Sequence, residues 1–253
     1  MKNLAVIPAR FRSTRLAGKV LLPIAGKPLI QHVYERACQA KRLEEVWVAT
    51  EDARVKEAAE RFGARCVMTS PFHLSGTDRV AEAVAGVEVE RVVNLQGDEP
   101  LLEPSMIDTL LKGMEEEPSI QMATLCHRIL DERDLANPNV VKVVRDLKGD
   151  ALYFSRHPIP YVRSSDLPGH PSRTSPREEN DPWYRHIGLY AYTKPFLLEW
   201  KRFHPTPLEL LEGMEQLRVL ENGYRIRVFE SPYETLGVDT MEDLERARGI
   251  LEK

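Results

Sequence analysis

The sequence has 253 residues, 42% hydrophobic and 29% charged, with a formal net charge of −4 from 35 Lys+Arg against 39 Asp+Glu. That size and balance suit one large α/β domain with a real core and exclude a disordered chain. The charge speaks against a general nucleic-acid grip, no apolar run is long enough to span a membrane, and Cys38, Cys66 and Cys126 are too scattered for a disulfide frame or a zinc site.

Leu4 to Ile7 reads as a buried strand that stops at Pro8. Too few residues precede it for a signal peptide, so the reading expects a cytoplasmic protein with reduced thiols. Pro28 to Cys38 predicts a helix, with Leu29, Val33 and Ala37 on one stripe and Pro28 in the first turn. Val46 to Ala49 is a second strand. Asp52 caps a predicted helix from Ala53 to Phe62, which Gly63 ends. Cys66 to Met68 is a third strand, Thr77 to Val87 a helix, and Arg91 to Leu95 a fourth strand running into Gln96-Gly97-Asp98-Glu99-Pro100. Ser105 to Met114 is helical and Met122 to Leu125 extended. Alternation at this spacing predicts a doubly wound, mostly parallel sheet covered on both faces. Its catalytic loops lie beyond the carboxyl ends of the strands, so the loops after Ile7, Met68 and Leu95 should face one crevice.

The middle changes character. Val140 to Arg145 and Ala151 to Phe154 pattern as an antiparallel hairpin, and Ser164 to Pro182 as an exposed loop expected to move without ligand. Ile187 to Tyr192 returns to strand, Leu208 to Leu220 reads as one helix, Ile226 to Phe229 as a strand and Met241 to Leu251 as the last helix. The chain is thus one domain over 1–253, with a smaller antiparallel insertion lobe at about 137–220.

Pro8 to Lys19 follows the first strand and brings Arg10, Arg12, Arg15 and Lys19 together with Ser13 and Thr14. Arginine forks, a lysine point charge and backbone N–H groups suit phosphate oxygens at this position of the fold. The loop has neither the Walker A spacing nor a GxGxxG fingerprint, which speaks against a P-loop ATPase and a nicotinamide dehydrogenase.

Ile7-Pro8-Ala9-Arg10, Ser13-Thr14-Arg15-Leu16, Gly18-Lys19 and Gly26-Lys27-Pro28 resemble the opening signature of the sugar nucleotidyltransferases. Ser75 to Arg79, Gln96 to Pro100, Asn137 to Val144, Ala151 to Arg156, Arg185 to Tyr190, Glu215 to Arg218 and Gly237 to Thr240 resemble, in order, the CMP-Kdo synthetases, the 3-deoxy-manno-octulosonate (Kdo) cytidylyltransferases of that family. Arg163 to Pro182 is longer and more polar than that pattern. The resemblance implies transfer of CMP from CTP to the anomeric hydroxyl of Kdo with release of pyrophosphate, activating Kdo for lipopolysaccharide synthesis. It implies Mg²⁺ as cofactor, no nucleic-acid or membrane partner, and a homodimer.

Carried onto this sequence, the resemblance makes Lys19, Asp98 and Asp239 catalytic and gives both aspartates to the metal. Asp98 alone would otherwise read as a turn residue, and Asp239 as a helix cap unless Thr240 and Asp243 take that task. Pro8, Arg10, Arg15, Lys19, Ser75 and Arg79 are expected at the nucleotide, with Arg79 a donor to the cytosine. Gln96, Arg156, His186, Tyr190, Glu215 and Gln216 are expected at the sugar acid. His186 also reads as a structural histidine, at least one of Tyr153, Tyr190 and Tyr192 as core, and Glu209, Glu212 and Glu215 equally as a solvated helix face. Two other functions fit the residues: a nucleotidyltransferase for another sugar acid or a sugar phosphate, and a non-catalytic nucleotide-binding regulator.

Overall fold

A computed structural model describes residues 1–11, 16–161 and 183–252. In chain order, β1 (Asn3–Ala9) leads through a 3-10 turn (Lys19–Leu21) into the two-residue pair β2 (Pro23–Ile24) and β3 (Lys27–Pro28). Then come α1 (Leu29–Ala37), β4 (Glu45–Thr50), α2 (Ala53–Arg61), β5 (Arg65–Met68), α3 (Gly76–Ala83) and β6 (Arg91–Asn94). Next are α4 (Pro104–Glu116), β7 (Met122–Arg128), α5 (Glu132–Ala136), β8 (Lys142–Arg145) and β9 (Ala151–Ser155). The chain ends with β10 (Tyr184–Thr193), α6 (Lys194–Glu199), α7 (Pro207–Glu212), α8 (Gln216–Glu221), β11 (Arg227–Glu230) and α9 (Met241–Leu251).

The main sheet runs β11-β7-β10-β6-β1-β4-β5. β1 pairs in parallel with both β4 and β6, so the strand order reverses at β1 and opens a crevice at its carboxyl end. β10 is antiparallel between β6 and β7, and its Tyr184 and Arg185 continue the ladder onto the β8–β9 hairpin. The sheet is therefore mixed but mostly parallel, as the alternation predicts.

Strand residues alternate between two apolar layers. From β1, Ala5 and Ile7 enter the layer covered by α1, α2, α4 and α9, while Leu4 and Val6 enter the layer under α3, α6 and α8. The helices form for local reasons. The Asp52 side chain accepts from Arg54 N at 2.9 Å and starts α2, whose Val55 and Ala59 face inward one turn apart.

One prediction is corrected. Leu208 to Leu220 is not a single helix: Gly213 stands at φ +64°, in the left-handed region, and separates α7 from α8. Of the two readings left open for Glu209, Glu212 and Glu215, the solvated face does not hold, because all three turn inward to partners. Arg12, Ser13, Thr14, Arg15 and the predicted Ser164 to Pro182 loop lie outside the described residues. No helix among the described residues is long and apolar enough to cross a membrane.

Candidate active site

Three chain ends converge at the carboxyl end of β1. A Cβ at Gly97 would sit 3.3 Å from both Ile7 Cγ2 and the Pro8 carbonyl oxygen, so the turn after β6 presses on the end of β1. A Cβ at Gly76 would sit 3.3 Å from Pro8 Cγ, which brings the start of α3 against the same proline. Val238 N donates to Asp98 O at 2.8 Å and ties the segment before α9 to the turn after β6. These close approaches join the loops after β1, β5 and β6, as expected from the strand order.

Gly18, at φ +66°, turns the chain into the 3-10 segment and delivers Lys19 to that junction. The Lys19 ammonium donates to Asp98 Oδ2 and, at 2.9 Å, to Asp239 Oδ1. Its side chain is 13% exposed, against 25% for Asp98 and 36% for Asp239. Burial acts to lower the Lys19 pKa, but the two carboxylates outweigh it and raise it above the ordinary value. Asp239 is not the cap of α9. Thr240 Oγ1 accepts from Asp243 N while the Asp243 carboxylate accepts from Thr240 N, a complete capping box.

Two carboxylates that already converge on one cation have the charge and oxygen donors that suit a Mg²⁺ held jointly by protein and phosphates. Among the described residues no cluster of three or more His, Cys, Asp or Glu is arranged to enclose a metal.

The expected nucleotide residues divide. Pro8 forms a wall of the junction. Arg10 follows β1, and its Nη2 is buried without a hydrogen-bond partner among the described residues. Ser75 caps α3, accepting from Asp78 N at 3.0 Å. Arg79 departs from its expected role as a cytosine donor: it is 1% exposed, pairs with Glu51 Oε2 at 2.7 Å and donates to Thr69 Oγ1. It anchors α3 under the crevice, and losing one partner of such a buried pair costs about 3–5 kcal/mol. Arg15 lies outside the described residues.

The expected sugar residues divide as well. Glu215 accepts from Thr77 Oγ1 at 2.7 Å, while its Oε2 is buried and unpartnered. Burial raises its pKa. Gln96 stands beside the Gly97–Asp98 turn and next to Gly188 of β10. His186 Nε2 lies 2.9 Å from Thr124 Oγ1, and its ring packs between Phe154 and Tyr190. Desolvation pulls its pKa to about 3, so it is neutral at physiological pH. Tyr190 is only 4% exposed and packs in the core with Tyr192, so its ring serves packing. Gln216 is buried too, its amide 3.6 Å from Met214 Sδ. Arg156 is committed to main chain, donating to Glu212 O at 2.8 Å and Pro138 O at 3.0 Å, and thus ties α7 to the hairpin.

The sequence reading assigned no role to Thr77, which holds Glu215, to Glu51, which holds Arg79, or to Glu99. Glu99 was within reach, since it belongs to the matched Gln96 to Pro100 stretch. It is half-buried, and burial followed by the neighbouring Asp98 pushes its pKa up to about 8.

A cytidylyltransferase family profile matches residues 4–226. A 3-deoxy-manno-octulosonate cytidylyltransferase of Solibacter usitatus is 53% identical over 245 residues, covering 97% of this chain and 92% of that protein. The chain belongs to the 3-deoxy-manno-octulosonate cytidylyltransferase family. A second member, from Geobacter metallireducens, is 52% identical and covers 97% of this chain and 96% of its own. Among solved structures, a CMP:2-keto-3-deoxy-manno-octonic acid synthetase complexed with CTP superposes with a TM-score of 0.90 at 45% identity, covering 100% of this chain and 99% of that one. The site that this family membership bears on is the junction where Lys19 meets the carboxylates of Asp98 and Asp239.

Proposed function

We propose that the protein transfers CMP from CTP to the anomeric hydroxyl of Kdo and releases pyrophosphate, supplying activated Kdo for lipopolysaccharide synthesis in the cytoplasm. The observation that carries this reading is the convergence of Lys19, Asp98 and Asp239 at the carboxyl end of β1, in a chain so similar to enzymes of that name. The hydroxyl oxygen attacks the α-phosphorus as the bond to the β-phosphate oxygen breaks, and the hydroxyl proton leaves to solvent or a phosphate oxygen. Such a transfer needs alignment and charge neutralisation more than covalent help. Asp98 and Asp239 are the residues that would hold a Mg²⁺, which would supply positive charge to neutralise the phosphate oxygens. Lys19 turns from the carboxylates to the α-phosphate, where negative charge builds. Arg10 supplies a further cation, and the region around Pro8 and Gly76 walls the base. Gln96 and Glu215 sort hydroxyls of the acceptor.

Pyrophosphate release is expected only with CTP, a divalent metal and Kdo together. A panel of nucleotides and sugar acids read by pyrophosphate detection tests this. Faster turnover with UTP, or with a neutral hexose phosphate as acceptor, would overturn it.

We also propose a homodimer. Leu152 on β9 and Leu210 and Leu211 on α7 are 63%, 72% and 82% exposed on the lobe, which is the kind of apolar surface a partner subunit covers. A dimeric mass in light scattering is expected, and a monomer at micromolar concentration would remove the proposal.

A further inference from the structure

β10 is irregular beside the junction of catalytic loops. Its register against β7 shifts between Ile187 and Tyr190, so Gly188 and Leu189 form a bulge. Thr124 Oγ1 lies beneath it, 3.0 Å from Ile187 O and 2.9 Å from Leu189 O, and gives the displaced carbonyls a partner. Ile187 and Leu189 point into the core, while Gly188 is half-buried and faces the turn after β6.

Nothing in the fold requires glycine there. Its φ lies outside the left-handed region, so an L side chain is not strained. A Cβ would meet only Gln96 Cγ at 3.7 Å and Glu99 Oε1 at 4.0 Å, both ordinary contact distances. Yet glycine inside a strand costs about 0.5–1 kcal/mol relative to alanine, and such a residue often marks the close approach of a ligand. The two side chains around it are polar, and no hydrogen bond holds the Gln96 amide or the Glu99 carboxylate to a described residue, although the Glu99 carboxylate lies in the field of Arg185. Both flank Gly97–Asp98, so the space over Gly188 lies next to a catalytic carboxylate.

We propose that Gly188 is a specificity-determining residue: its missing side chain makes the floor on which the polyhydroxylated ring of the acceptor rests, with Gln96 and Glu99 binding its hydroxyls. This rests on the sugar-acid reading above and adds the residues that set how closely the ring approaches Asp98. The bulge lowers the floor, Thr124 holds the bulge in place, and the absence of a Cβ keeps it open.

The test is a graded series, Gly188→Ala and Gly188→Val, assayed beside wild type with CTP, Mg²⁺ and Kdo. A methyl group on the floor is expected to raise the KM for Kdo about tenfold or more, with a larger rise for valine. The KM for CTP stays within about twofold in Gly188→Ala, and its melting temperature is unchanged or higher because the unfolded chain loses freedom. An unchanged KM for Kdo in Gly188→Ala overturns the proposal. So does a parallel loss of CTP binding and melting temperature, which would make the glycine structural. Failure of wild type itself to turn over Kdo is a different result: it overturns the sugar-acid reading, and this inference with it.

Discussion

Lys19→Met lowers turnover at saturating CTP by about 100- to 1,000-fold, the expected loss when one charge-stabilising donor is removed from a transition state. Methionine keeps much of the length and apolar stem of lysine, so the change isolates the ammonium. The structure adds a second effect that an exposed phosphate-binding lysine would not have. Without nucleotide, the ammonium bridges Asp98 and Asp239, and its removal leaves two anions facing each other across a partly buried gap. The melting temperature of the metal-free variant is therefore expected to drop by a few degrees. Added Mg²⁺ or Mn²⁺ should restore it, and should bind the variant more tightly than wild type when nucleotide is absent. The wild-type contribution holds across neutral pH. The folded pKa of Lys19 is raised, so the stabilisation is fully present below the ordinary lysine value of 10.5 and fades only as pH climbs through the higher folded value. Wild-type turnover in Lys19→Met would remove the lysine from the mechanism, and an unchanged metal affinity would remove its role as a counter-ion.

What the sequence made legible was local or periodic. Asp52 reads as a cap because the cap forms with its own helix, and Thr240 with Asp243 reads as a box that caps α9 without the Asp239 side chain because all three lie within five residues. The first strand and the turn at Gln96 to Pro100 place two of the loops at the crevice, since their positions follow from strand alternation, although β1 runs on through Pro8 to Ala9 instead of stopping at the proline. The rest depends on partners far apart in sequence. Arg79 looks like a ligand donor until Glu51, on the other side of α2 and β5, is seen to hold it. Arg156 looks free for a sugar carboxylate until the break at Gly213 brings Glu212 O to it. Tyr190 alternates with apolar residues whether it lines a site or fills the core, and only its packing beside Tyr192 decides. The bulge at Gly188 leaves no composition signal beyond one glycine in a strand.

Asp98→Asn and Asp239→Asn each reduce turnover by at least about 100-fold, with partial rescue by excess Mg²⁺ or Mn²⁺, while keeping a near-native melting curve. Asparagine keeps the shape and the turn preference at 98, and at 239 it leaves α9 intact because Thr240 carries the cap. Each single variant also leaves Lys19 one anionic partner, so no buried charge is orphaned. The double variant differs. It strips both partners from an ammonium that is only 13% exposed, so desolvation then acts unopposed on its charge. Its loss of stability should exceed the sum of the two single losses, the mark of residues that share one partner. Turnover near wild type in either single variant would show that its carboxylate does not hold the metal. Additive stability losses would show that Lys19 does not depend on the pair.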